Sequence, residues 1–137
     1  MDTNIFLDVL LNREEWVDTS RDVLNRLEQN PGVGWIAWHT LSNLYYIGRK
    51  IVGEEQTRAV MWRIVRSFEV CPAHGRIAVS ALELPMADFE DALQVAAGVA
   101  AKADWIITRN EDDFKKSPIP ALSPERSLQT IFHDPGW

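Results

Sequence analysis

Asp88 and Asp91 stand three residues apart, a spacing that puts both carboxylates on one face of a helical turn. Asn110, Asp112 and Asp113 form a second oxygen-rich group, and Asp2 is a third candidate. Carboxylates with an Asn, and no Cys or His cluster, suit a hard cation such as Mg²⁺ or Mn²⁺. Such an ion lowers the pKa of a bound water and stabilises charge on a phosphoryl group. Each acid also has a plainer use. Asp88 and Asp91 at N-cap and N3 are what an ordinary helix start selects, and Asp112 and Asp113 serve equally well as loop solubilisers.

The elements that must position these groups follow from apolar periodicity. Ile5–Leu11 reads as a helix, and Trp16, Ser20, Val23, Leu24 and Leu27 mark a second, stopped by Asn30-Pro31-Gly32. Val33–Trp38 is a bulky run that suits a buried strand. Leu41, Leu44, Tyr45, Gly48 and Ile51 mark a helix ended by Gly53, and Val60, Met61, Ile64, Val65 and Phe68 mark the next. Val70-Cys71 is a very short strand closed by Pro72, and a helical stretch around Ile77–Leu82 ends before Pro85. Asp88 to about Lys102 is an Ala-rich helix with Asp88 as its N-cap. Asp104 to Thr108 is a buried strand of the parallel-sheet type. Ala121-Leu122 and then Ser123-Pro124, an N-cap followed by Pro at the first helical position, lead into a short terminal helix.

Helices alternating with short buried strands predict a helix-rich α/β sandwich around a parallel sheet. Ligands in such sheets gather beyond the C-terminal strand ends. Asp104 opens its strand and lies on the order of 13 Å from that end, at ~3.3 Å per residue. It is excluded, whereas Asn110, Asp112 and Asp113 follow the strand at the correct end.

A chain of 137 residues, 46% apolar and 25% charged, is the size and composition of one globular domain, taken here as 1–137. Twenty acidic against fourteen basic residues give a net charge of −6, which excludes a generally basic nucleic-acid coat. Phosphate contact then falls to local groups: Arg58, Arg63 and Arg66 on one helix face, Arg49-Lys50, and Arg109 with Lys115-Lys116. Solvated faces are the plainer reading of those charges. The apolar run Ala92–Ala101 is broken by Gln94 and too short to span a bilayer, and Asp2 argues against a signal segment. The lone Cys71 forms no internal disulfide, so a cytoplasmic setting without membrane contact is expected, with the thiol in the core. His39, His74 and His133 suit surface or capping roles. Trp35 and Trp38 fall near the presumed site, and Trp137 carries no signal.

Three stretches carry a family resemblance. Asp2-Thr3-Asn4 followed by Leu7-Asp8-Val9-Leu10-Leu11 resembles the opening motif of PIN-domain proteins. Asp88-Phe89-Glu90-Asp91-Ala92-Leu93-Gln94 resembles the second acidic motif, and Ile107-Thr108-Arg109-Asn110 with Asp113-Phe114 the third. The tail, Ile119-Pro120 to Ser123-Pro124-Glu125, is similar to the branch near bacterial VapC-like toxins. The likeness runs over essentially the whole chain in order.

It implies a three-layer sandwich with a short, mainly parallel central sheet, and a Mg²⁺- or Mn²⁺-dependent ribonuclease. Asp2, Asp91 and Asp113 would hold the cation directly or through water, with Asp88 beside them and Asn43 and Asn110 as neutral helpers. Thr3, Arg109 and Lys115 would face the RNA substrate. The resemblance also implies a small antitoxin that blocks the acidic pocket with a basic side chain, and a homodimer.

Two departures stand out. Asn43, in Thr40-Leu41-Ser42-Asn43, occupies the place of a usual Glu, so metal affinity should fall unless Asp88 or Glu90 compensates. In the family the first Asp ends a central strand, whereas Met1 alone precedes Asp2 here. Either the start is assigned too late or that strand is lacking. Met1–Asn4 is then expected to fill only the tail of the first-strand position, with the α-amino group near Asp2. A catalytically weak or inactive PIN-like module that binds RNA or a partner protein is the competing reading, and a phosphoryl-accepting signalling domain ranks last.

Overall fold

The computed structural model describes residues 1–133, so Trp137 lies outside the described residues. Four two-residue strands form: β1 (Trp35–Ile36), β2 (Glu69–Val70), β3 (Ile106–Ile107) and β4 (Ala121–Leu122). They pair in parallel as two separate sheets, Trp35 opposite Glu69 and Ile106 opposite Ala121. Among the described residues seven helices surround them: α1 (Thr3–Leu10), α2 (Val17–Glu28), α3 (Trp38–Ile51), α4 (Glu54–Ser67), α5 (Gly75–Glu83), α6 (Phe89–Ala100) and α7 (Pro124–Thr130). A 3₁₀ turn covers Glu111–Phe114.

Successive strand residues point to opposite faces, and the core is divided accordingly. Ile36 and Ile107 join Ile5, Phe6, Val23 and Leu44 in the main core beneath the first four helices and α7. Ile106 packs with Val95, Phe114 and Ile119, and Ala37 with Cys71 and Ala97, on the α6 side. The expected sandwich of helices on both faces of a parallel sheet is therefore present, with Cys71 in the core as expected.

Strand lengths differ from the sequence expectation. Val33–Trp38 contracts to β1 because Ala37, in extended conformation, is already the N-cap of α3. Trp38 consequently begins the helix with 60% of its surface exposed. Aromatic bulk favours a strand, but the helical spacing of Leu41, Leu44 and Gly48 decides that segment.

The sheet is also split. Met1 and Asp2 bridge β1 and β3: the Met1 amino group donates to Trp35 O at 3.1 Å and the Asp2 N–H to Ile107 O at 3.0 Å. Thr3 then opens α1. Met1 and Asp2 thus hold the end of a central-strand position, a shorter stretch than the expected Met1–Asn4 because Thr3 and Asn4 already belong to α1.

Close packing beside β1 yields a first prediction. A Cβ on Gly34 would lie 2.6 Å from Cδ1 of Phe68, whose buried ring meets Phe6 edge-on at 5.3 Å between centroids. The buried ring must shift to admit it, so Gly34→Ala should cost about 1–3 kcal/mol, read as a lower urea midpoint at unchanged m-value.

Candidate metal and phosphoryl site

The three acidic motifs converge at the C-terminal side of the strands. Asp88 caps α6 as expected: its Oδ1 accepts from the Glu90 N–H at 2.8 Å and the Asp91 N–H at 3.1 Å. That cap fixes the first turn of α6 and with it Asp91. Asp2 sits where its N–H is bound to Ile107, the last residue of β3, and its Oδ2 accepts the Thr108 hydroxyl at 2.9 Å. Thr108 Oγ1 accepts in turn from the Asn110 N–H at 3.2 Å, which ties the turn carrying Asp113 to the same anchor. Asn43 reaches across from α3 and donates Nδ2 to Glu90 Oε1 at 2.7 Å.

Charge is concentrated here without relief. The Asp91 carboxyl is pushed up to about 6, first by burial and then by the charges of Asp88, Asp2, Asp113 and Glu90. Burial also raises the Glu90 carboxyl, with Asp2 and Asp88 adding and the Asn43 hydrogen bond opposing. None of the ion pairs among the described residues uses Asp2, Asp88, Glu90, Asp91 or Asp113. Five hard-oxygen groups that repel one another, with no basic side chain paired to them, match a divalent cation in charge and ligand type. Among the described residues no three of His, Cys, Asp or Glu are gathered at mutual ligating distance. The two observations agree physically: unneutralised carboxylates feel each other across a site without closing on it.

Two expected substrate contacts are corrected. The Thr3 side chain is buried, with its hydroxyl against that of Thr40 at 3.5 Å, because α1 begins under the strands. Arg109 turns inward: its NH1 lies 3.3 Å from Oδ1 of the fully buried Asp8, and its guanidinium stacks 4.0 Å over the Trp16 ring. A buried carboxylate demands a counter-charge, so Arg109 is committed to the fold. Lys115 stays exposed and pairs with Asp112 at 3.0 Å. The Arg58–Arg66 face is largely used as well, Arg58 on Glu54, Arg63 on Glu28 and Arg66 over Trp62.

Other groups gained importance. Asp8 also accepts from Ser20 at 2.9 Å and from Arg13 at 3.3 Å. Its signal was an acid set among Ile5, Phe6, Leu7 and Leu10 on an otherwise apolar helix. His39, expected to be bland, is lowered by burial against the opposing pull of Asp2, so it borders the acidic site. Only its place next to Trp38 hinted at that. His74 does precede α5 at the cap position, and the His133 ring lies 3.2 Å from Thr130 O. Glu111, unremarked in the sequence, accepts from the Ser123 N–H at 2.7 Å and pairs with Arg126, fastening the 3₁₀ turn to α7.

Comparison with known proteins identifies the fold. A family model described as a PIN domain matches residues 1–112. The chain is similar to a chain in the crystal structure of VapBC2 from Rickettsia felis bound to a DNA fragment from their promoter. That match has a TM-score of 0.67 and 20% sequence identity, covering 89% of this chain and 95% of the other. Among curated proteins none matches.

Proposed function

Since the chain belongs to the PIN-domain family, we propose that it is a metal-dependent endoribonuclease that hydrolyses RNA phosphodiester bonds. PIN domains are generally nucleases, which supports the hydrolase class. The observation that carries the reading is the gathering of Asp2, Asp88, Glu90 and Asp113 around Asp91, whose carboxyl is raised to about 6 first by burial and then by those four charges, with no basic side chain paired to them. Asp2, Asp91 and Asp113 would hold Mg²⁺ or Mn²⁺, directly or through water, with Asp88 and Glu90 adding negative charge. A cation bound there supplies an acidified water and Lewis-acid stabilisation of the phosphoryl charge.

The chain's own groups do the positioning. Thr108 donates to one oxygen of Asp2, and the other would serve the cation. Asn43 orients Glu90, so the carboxylate of Glu90 compensates for the missing acid at position 43. Asn110 and the exposed Lys115 and Lys116 stand on the outlet of β3, where a phosphate backbone can approach. Hydrolysis adds water to phosphorus and breaks one P–O bond, and the leaving oxygen takes a proton from solvent.

The likeness to the VapBC2 structure supports a partner of antitoxin type. Such a partner would place a basic side chain among these carboxylates. A homodimer and a cytoplasmic setting belong to the same reading. No helix among the described residues is long and apolar enough to cross a membrane. Asn43 in place of an acid favours a second reading, an inert PIN-like module that binds RNA without cutting it. The test is incubation of single-stranded RNA with the protein and Mn²⁺, with and without a chelator. Chelator-sensitive internal cleavage is expected, whereas retention of intact RNA in both arms supports the inert module.

A further inference from the structure

A concavity with no part in the metal reading opens beside the acidic cluster. It is a cavity of about 150 Å³ between α3, α6 and the segment that enters α5, lined among others by Trp38, His39, Pro72, His74, Ile77 and Leu93. Helical spacing places two of its walls. His39 precedes Asn43 by four residues on α3, and Leu93 follows Glu90 by three on α6. Each therefore shares a helix face with one partner of the Asn43–Glu90 hydrogen bond. On both helices the wall stands about one turn, roughly 5 Å, from that bond. The Asp2 charge also acts on the His39 ring, which sets the same wall beside the acidic cluster.

The chemistry of the lining selects an occupant. Among the described residues no carboxylate lines the cavity, although the chain carries a net charge of −6. A phosphate-bearing strand meets no like charge on these walls. Trp38 stands at the mouth with most of its surface exposed, and His74 is exposed beside it. An indole and two imidazoles are the kind of rings on which the unstacked bases of single-stranded RNA lie. No hydrogen bond among the described residues uses the Trp38, His39 or His74 ring, so their N–H groups and lone pairs are open to the edge of a ligand. Ordinary small-molecule sites run to ~300–1,000 Å³, so a space of half that size or less admits one ring system.

We propose that this cavity is a nucleobase subsite, holding one unstacked base of a single-stranded RNA against Trp38 with its edge toward the imidazoles of His39 and His74. The phosphate of the same or the adjoining nucleotide then lies at the acidic cluster, one helical turn away. The choice of an RNA strand rests on the nuclease reading of that cluster, and the subsite adds which part of the strand is gripped. Contacts to the phosphate backbone position a strand without reading it. A base seated in a cavity fixes the strand's register, so the cut falls at a set distance from that base. Stacking of one base on an aromatic side chain is worth roughly tenfold in affinity or more.

The test is titration of fluorescein-labelled hexauridylate in the presence of a chelator, so that no metal binds and no strand is cut. Trp38→Ala should bind it about tenfold more weakly than the parent, and Trp38→Phe within about twofold, because a phenyl ring still stacks. Trp62→Ala removes an indole of similar exposure from α4 and should bind as the parent does. An abasic hexamer should bind the parent about tenfold more weakly than hexauridylate, with no difference between parent and Trp38→Ala. Parental affinity in Trp38→Ala would overturn the proposal and leave the cavity to a side chain of a protein partner. Equal binding of abasic and intact strands, an equal loss in Trp62→Ala, or no binding at about 1 mM RNA would overturn it too. The nuclease reading fails separately: a chain that shows the expected affinities and cuts no RNA with Mn²⁺ keeps the base subsite and loses the hydrolase.

Discussion

Asp91→Asn is expected to remove metal-stimulated RNA cleavage while making the fold more stable. Even indirect partners of a metal ligand are worth roughly 10–100-fold, so loss of a direct one should cost about 100-fold or more. The stability gain follows from the same crowding. Asp91 titrates near 6 instead of 3.8, so its charged form is disfavoured in the folded state. One pKa unit corresponds to ~1.4 kcal/mol, and with screening at this part-exposed side chain the net penalty is on the order of 1–2 kcal/mol.

The sign fixes the pH dependence. A carboxyl raised on folding binds more protons in the native state between 3.8 and about 6, so stability falls as pH rises through that window. The parent should therefore lag the Asn variant in Tm at pH 7 and approach it near pH 4. Chemical denaturation of both proteins across that range checks the curve. A parent as stable as the variant at pH 7 would show that the carboxylates do not crowd Asp91.

Arg109→Ala is expected to have the largest effect on stability. It strips one of two guanidinium partners from the fully buried Asp8 and empties the face of Trp16. Breaking a buried pair from one side costs ~3–5 kcal/mol because the remaining charge is left uncompensated. Arg13 retains part of that compensation, so about 3 kcal/mol, or roughly 10 °C in Tm, is the expected loss. Arg109→Lys should recover only part, since the stacked planar fork is absent in Lys. A double-mutant cycle with Asp8→Asn should give coupling above ~1 kcal/mol. An Arg109→Ala protein of parental stability that binds RNA more weakly would instead return Arg109 to the substrate side.

The difference between the readings of Arg109 and Asp88 shows what the sequence carries. Asp88 was legible because capping is local: an Asp before an Ala-rich helix determines its own hydrogen bonds within three residues. Ser123-Pro124 was legible for the same reason, and Ser123 does accept from the Arg126 N–H. Arg109 was misread because its partner is about a hundred positions away, and a basic residue beside an acidic motif looks the same whichever way it points. Strand ends blurred because two-residue strands are too short for alternation to register. The motif order gave the fold and brought Asp2, Asp91 and Asp113 into one electrostatic neighbourhood. The Asn43–Glu90 contact joins side chains 47 positions apart and had no signature of its own.

The converging carboxylates are expected to take up a divalent cation. Titration of the protein with Mn²⁺ at pH 7.5, following free Mn²⁺ by electron paramagnetic resonance, tests it directly. The parent should take up Mn²⁺ at millimolar or lower concentration, and Asp91→Asn should bind about tenfold more weakly or worse. Uptake that is identical in the two proteins, or absent in both at about 10 mM metal, would contradict the account.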